Sequence, residues 1–220
     1  MEGNLLFEAV LVLVPMIMAL CVHEFAHAWS ANRLGDPTAR HQGRMSLNPI
    51  VHMDLFGTLL LPLLSLLSHS SLFFGWAKPV PVNPLLFTRK VTMRTGMMLT
   101  AAAGPISNLI FGFACVALLK VVVVTGFQNE GVLLLLQKLV GINFVLAFFN
   151  LLPVPPLDGG KVLAGFAPRP VLKVLDTLEA NPLYGLGFFL LIMGSGVLGY
   201  VIGPPVQLMY WLSFSLFGLV

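Results

Sequence analysis

Apolar residues gather into five long runs, near 4–27, 96–124, 131–152, 183–202 and 204–220. Each approaches the roughly 20 residues that a helix needs to cross a bilayer, the last being the shortest. A sixth run, 55–74, has a different pattern. It contains Pro62 and a polar cluster, Ser65, Ser68, His69, Ser70 and Ser71, and it leads into Phe74-Gly75-Trp76-Ala77-Lys78-Pro79-Val80-Pro81-Val82-Asn83-Pro84. Closely spaced prolines remove amide donors and fix φ, which excludes a helix there and favours an extended or polyproline-like strand. The pattern therefore predicts an all-α polytopic membrane protein of five to six transmembrane helices with a re-entrant helix/strand loop. Residues 1–220 form one membrane-embedded unit, with a core over about 4–160 and C-terminal helices over about 183–220.

Composition agrees with this reading. The chain is 57% hydrophobic and 10% charged, against about 25% charged in a soluble domain. The net charge of +3 says less than the placement of the positive residues. Arg33, Arg40 and Arg44 follow the first run, Arg89, Lys90 and Arg94 precede the second, and Lys161, Arg169 and Lys173 follow the third. The 125–130 loop carries Glu130 and no Lys or Arg. If 55–74 enters and leaves on one side, every basic loop falls on one face, which the positive-inside rule makes cytoplasmic. If 55–74 crosses fully, the basic loops divide between the faces. The re-entrant arrangement of 55–88 is favoured, and such backbone needs protein or a wet cavity around it.

Other features complete the outline. Cys21 and Cys115 both lie in apolar runs, so no disulfide framework is indicated. The first run lacks the basic flank and cleavage site of a signal peptide. Gly185-Leu186-Gly187 and Gly194-Ser195-Gly196 allow close helix approach, within one chain or in a homodimer. Trp29, Trp76, Tyr200 and Trp211 suit membrane interfaces. Phe144, Phe148 and Phe149 read as packing or lipid contact, and no pattern points to nucleic acid.

The chemistry sits at the end of the first run, in His23-Glu24-Phe25-Ala26-His27. An ionisable residue at bilayer depth costs roughly 2.5–3.5 kcal/mol or more, so it implies a partner and a function. Residues i and i+4 of a helix share a face, so His23 and His27 can ligate one zinc ion with Glu24 beside them. A third ligand is required. His41, His52, His69, Asp36, Asp54 and Asp158 are the candidates, with His52 and Asp54 also suited to capping the 55–74 helix. Asp158 stands out in Asn150-Leu151-Leu152-Pro153-Val154-Pro155-Pro156-Leu157-Asp158-Gly159-Gly160, where prolines break an apolar helix and two glycines let the chain turn around the carboxylate. His27 and Asp158 meet on one side of the membrane only if 55–74 is re-entrant, so charge bias and ligand convergence require the same topology.

Three segments in this order, His23 to His27, Ala103-Gly104-Pro105-Ile106-Ser107-Asn108, and Asn150 to Gly160, resemble the site-2 protease family, the intramembrane zinc metalloproteases of peptidase family M50. The resemblance is to a compact form without a PDZ or CBS domain, and no regulation by an attached domain is expected. It implies one Zn2+ per chain held by His23, His27 and Asp158, with Glu24 as general base and proton shuttle. It also implies Asn108 and Asn150 beside the reacting carbonyl, and Gly75–Pro84 as the re-entrant loop. The expected substrates are transmembrane proteins or peptides cut within or near their spans, with membrane lipid as surroundings. The expected location is a prokaryotic cell membrane, multi-pass, with the site toward the cytoplasm. Arg33, Arg44, Asn48 and the serines of 65–71 are candidates for a water path, and Val80–Asn83 for a strand edge that pairs with unwound substrate. Two other readings use the same residues: an inactive relative that binds membrane helices, and a transporter with broken helices along its path. A third, with a glutamate as third ligand, has only Glu130 and Glu179 to draw on.

Overall fold

Leu5–Arg33 (α1), Met93–Val124 (α4) and Glu130–Asn150 (α5) are long and apolar enough to cross a membrane, and they pack on one another as the frame of the molecule. The computed structural model describes residues 5–68, 75–127 and 129–219; His69, Ser70, Ser71 and Phe74 of the sequence reading lie outside these. The remaining helices are α2 (Thr38–His41), α3 (Leu61–Leu67), α6 (Asp158–Ala164), α7 (Arg169–Ala180), α8 (Pro182–Gly194) and α9 (Val197–Leu216). A wide π-type helical segment, Leu55–Leu60, leads into α3. Helix starts follow local chemistry. The Thr92 hydroxyl accepts from Thr95 N at α4, and Asn129 Oδ1 accepts from Val132 N at α5.

Polar bonds hold the three long helices in register. Asn108 on α4 donates through Nδ2 to Ala19 O of α1 at 3.0 Å and to Asn143 Oδ1 of α5 at 2.8 Å. The Ser107 hydroxyl reaches Val22 O of α1 at 3.4 Å, and Thr100 O of α4 meets His27 Nδ1 of α1 at 2.7 Å. Rising numbers on α1 thus meet falling numbers on α4, so these helices are antiparallel. The chain leaves α1 and enters α4 at the same end of the bundle. Below the polar link, α4 and α5 share an apolar core of Cys115, Val116, Leu119, Leu136, Leu139, Val140 and Phe144. Gly112 admits the Phe144 ring, because a Cβ at 112 would stand 2.4 Å from it. Tyr210 of α9 packs edge-on against Phe144 at 5.5 Å.

The structure moves one boundary of the sequence reading. The runs 183–202 and 204–220 were expected to divide near Gly203-Pro204-Pro205. The break falls instead at Ser195-Gly196, and both prolines lie inside α9. Gly196 adopts φ +73°, a left-handed conformation that ends helices, whereas the prolines only withdraw donors from a helix that continues. With 13 residues, α8 is about 20 Å long at ~1.5 Å per residue.

The segment expected as an extended or polyproline-like strand, 75–84, has no paired strand beside it among the described residues. Among the described residues there is no strand, and 75–83 runs without regular structure. Its donors are taken singly: Trp76 N by Gly57 O at 3.2 Å, Lys78 N by His52 O at 2.8 Å, and Val80 N by Glu24 Oε2 at 2.9 Å. The interleaved positions 79 and 81 are prolines with no N–H, so neither offers a donor to a neighbouring strand. The helical half does form, with Asp54 Oδ1 accepting from Phe56 N and Gly57 N as its cap.

Gly112→Ala is expected to lower stability by about 1–3 kcal/mol, the usual cost of overpacking a core, because the new methyl meets the buried Phe144 ring. A reduced thermal midpoint in detergent, with helical content unchanged before the transition, checks it.

Candidate metal centre

His23 and His27 lie one turn apart on the buried face of α1, 4% and 9% exposed. Their rings meet edge to face at 4.6 Å. Each is fixed from behind through Nδ1. His27 Nδ1–H donates to Thr100 O at 2.7 Å, and His23 Nδ1–H donates to Asn108 Oδ1 at 2.6 Å. The second assignment follows from Asn108, whose Nδ2 is committed to Ala19 and Asn143, which leaves its oxygen as the acceptor. With protons on Nδ1, both rings present a lone pair at Nε2, the arrangement that outer partners impose on metal-binding histidines. Gly104 permits the close approach of α4. A Cβ there would stand 2.5 Å from His27 Cε1 and 2.6 Å from His23 Cε1.

Asp158 arrives from the other side of the site at the start of α6. Its Oδ2 lies 3.0 Å from His23 Nε2 and 3.2 Å from His27 Nε2. Gly159 makes this turn possible, since a Cβ there would be 2.2 Å from Leu152 O and 2.3 Å from Leu151 O. At the far end of α6 the Arg94 guanidinium of α4 donates to Ala164 O and Ala167 O, tying α6 to the bundle. Burial disfavours ionisation of Asp158, yet positive charge shared with the neighbouring His23 and His27 outweighs it and holds the carboxyl well below the usual carboxylate range.

Two lone pairs and a carboxylate oxygen facing one another need a cation between them, a proton or a metal. Tetrahedral zinc with ligands at ~2.0–2.1 Å places them roughly 3.3 Å apart, close to the separations of His23 and His27 from Asp158. The donor set therefore fits zinc. Ligand atoms of His23, Glu24 and His27 also lie within 4.8 Å of one another. Of the two carboxylates, Asp158 is the one touching both Nε2 atoms, while Glu24 is drawn toward Val80 N.

The segment that reaches Glu24 is held by residues first considered as ligands or path residues. Buried Arg44 donates to Lys78 O and Pro79 O. Asp36 accepts from Asn83 N at 2.6 Å and Thr38 N at 3.0 Å, and His52 binds Ser46 O at 2.7 Å. His41 is exposed at the end of α2, away from the centre.

A cavity of about 370 Å³ opens beside the histidines, lined by Glu24, Val80, Thr100, Asn150, Asp158 and Lys161 among others. Asn150 is thus at the cavity wall. Asn108 does not reach the cavity: it is fully buried, and its amide is committed to three partners behind His23. Expected beside the reacting carbonyl, Asn108 stands here behind the His23 ring. Arg33, Arg44 and Asn48 are not among the lining residues. Arg33 sits over the Trp29 ring at 5.2 Å. Sequence reasoning missed Thr100 and Lys161, and it read Val80 as part of a strand edge rather than as the donor to Glu24. Thr100 and Val80 act through backbone atoms, which leave no residue-type signal. Lys161 could have been found one turn after Asp158. The buried Thr100 hydroxyl has no hydrogen-bond partner among the described residues.

Comparison with known proteins follows the same lines. Residues 120–194 match the model of peptidase family M50. YwhC of Bacillus subtilis (strain 168), named as a candidate zinc metalloprotease, is 35% identical over 199 residues, covering 88% of this chain and 84% of that protein. Rip2 of Mycolicibacterium smegmatis (strain ATCC 700084 / mc(2)155), named likewise, is 30% identical over 153 residues, 68% of this chain and 54% of that protein. No solved structure is significantly similar.

Asn108→Ala is expected to weaken zinc binding about 10- to 100-fold, the usual effect of losing an outer hydrogen bond to a metal-binding histidine. Competition against a chelator measures it, with circular dichroism as the check on folding.

Proposed function

The chain belongs to peptidase family M50 and is a zinc metalloprotease of that family, and from that premise we propose that it cuts peptide bonds within or near the transmembrane segments of other membrane proteins. The observation that carries the reading is the convergence of His23 Nε2, His27 Nε2 and Asp158 Oδ2 beside Glu24, inside a frame of membrane-length helices. In this reading His23, His27 and Asp158 hold one zinc ion per chain.

Zinc supplies Lewis acidity when bound, acidifying a water and polarising a carbonyl. Glu24 takes a proton from the attacking water and returns it to the departing amine. Val80 N–H holds Glu24 Oε2, which fixes the carboxylate while its other oxygen remains to accept the proton. Asn150 donates one amide hydrogen to Leu146 O at 3.0 Å. Its second amide hydrogen is available to a developing oxyanion, an interaction worth roughly 3–4 kcal/mol in other hydrolases.

A spanning substrate must unwind before attack, because its carbonyls are engaged in helical bonds. The 75–83 segment lies against the site, and Pro79 and Pro81 bring no N–H donors to an unwound substrate. The role of the segment is to close the cavity and hold Glu24. The shared end of α1 and α4 supports a re-entrant 55–88, and with it a site at the face that carries Arg33, Arg40, Arg44, Arg89, Lys90 and Arg94. The positive-inside rule makes that face cytoplasmic. The helices α8 and α9 complete the membrane unit beside α5.

Glu24→Gln is expected to retain stoichiometric zinc and the wild-type fold while slowing cleavage of a reconstituted transmembrane substrate by about 100-fold or more. Cleavage at the wild-type rate would remove Glu24 from its role. Asp158→Ala is expected to lose zinc as well as turnover; elemental analysis that still finds one zinc per chain would exclude Asp158 as a ligand.

A further inference from the structure

We propose that the cleft between α1 and α5 receives the substrate's transmembrane helix, and that Lys138 selects helices carrying an acidic side chain at the matching depth. The occupant rests on the peptidase reading; the groove and its charge do not.

The observation that prompts this is a lysine in the wrong solvent. Lys138 lies on the spanning helix α5, exposed, and among the described residues it has neither an ion pair nor a hydrogen bond. From Glu130, where α5 begins, it lies roughly 12 Å along the axis at ~1.5 Å per residue. A side chain so deep reaches headgroup level only in part, and a bare ammonium in hydrocarbon is costly. A counter-charge from a partner removes that cost.

The surroundings supply the shape. With Pro15, Leu134 and Tyr210, Lys138 lines a cavity of about 560 Å³. This cavity shares Gly141 and Ile142 with a second of about 350 Å³, which continues past Leu146 and Phe149. The next residue, Asn150, lines the catalytic cavity. Positions 134, 138, 141, 145 and 149 recur every three or four residues, so they form one stripe of α5. The stripe runs from Lys138 to the cutting site, roughly 18 Å at ~1.5 Å per residue.

Charge decides the occupant. A lipid acyl chain fills the groove but brings no counter-ion to this depth. A second copy docked symmetrically would set two Lys138 side chains against each other. A membrane helix with one Asp or Glu satisfies both the apolar stripe and the ammonium, and the acid then sets how far its backbone extends toward Asn150.

The test uses the full chain as Glu24→Gln in liposomes, with a fluorescent Leu/Ala-rich transmembrane peptide carrying a single Asp, and matched Asn and Lys peptides. The Asp peptide is expected to bind about tenfold more tightly than the Asn peptide. Lys138→Met should abolish that difference, and Lys138→Glu should favour the Lys peptide. Equal affinity for all three peptides, or an Asp preference that survives Lys138→Glu, overturns the proposal. A photocrosslinking residue in place of Leu134 should capture the peptide; capture of a second copy or of lipid alone overturns the assigned occupant. The active chain separates this inference from the protease reading. Lys138-dependent binding without any cleavage keeps the groove and sinks the peptidase reading, while cleavage indifferent to the peptide's charge does the reverse.

Discussion

The hydrogen bond from His23 Nδ1 to Asn108 Oδ1 is the interaction on which the site and the fold both depend. In hydrocarbon a polar side chain needs partners inside the protein, and Asn108 of α4 finds them on both other long helices at once: Ala19 and His23 on α1, and Asn143 on α5. The same amide that sets the register of the bundle also sets the tautomer of His23. Helix packing and ligand chemistry are therefore one constraint. A slip of α4 along α1 would break the bundle link and turn the Nε2 lone pair from the centre.

Close backbone approach is the second requirement, and glycine meets it where the chain must nearly touch itself. Gly104 lays α4 onto both imidazole rings, and Gly159 lets the chain fold back under Asp158. Prolines act in the opposite sense around Glu24. Pro79 and Pro81 remove donors on either side of Val80, so the local backbone offers one N–H, and the carboxylate takes it. The loop is then fastened from behind by Arg44, Asp36 and the His52 carbonyl. Three groups that resemble ligands or path residues in isolation are instead the anchors of a segment that positions Glu24.

Much of this was legible in advance. The apolar runs marked α1, α4 and α5 because spanning helices must satisfy their own backbone, and that requirement writes itself into long uninterrupted stretches. His23, Glu24 and His27 were legible because helical periodicity alone places them together. The pairing with Asp158 came from two glycines beside a carboxylate and from the requirement that basic loops share one face. The boundary between α8 and α9 was misread because Gly203-Pro204-Pro205 looks like a stronger break than Ser195-Gly196, while the backbone turns where φ becomes positive.

By itself the sequence determined the membrane class, the three long helices and the side chains that meet at the candidate centre, because periodicity and burial cost are local properties of a chain in a bilayer. Only the tertiary structure decided that Asn108 stands behind His23 rather than at the cavity, that Val80 N–H holds Glu24, and that Thr100 offers its carbonyl to His27. Those three facts concern hydrogen bonds between segments 56 to 85 positions apart. Two of them use backbone atoms that every residue possesses, so only the packed fold could assign them.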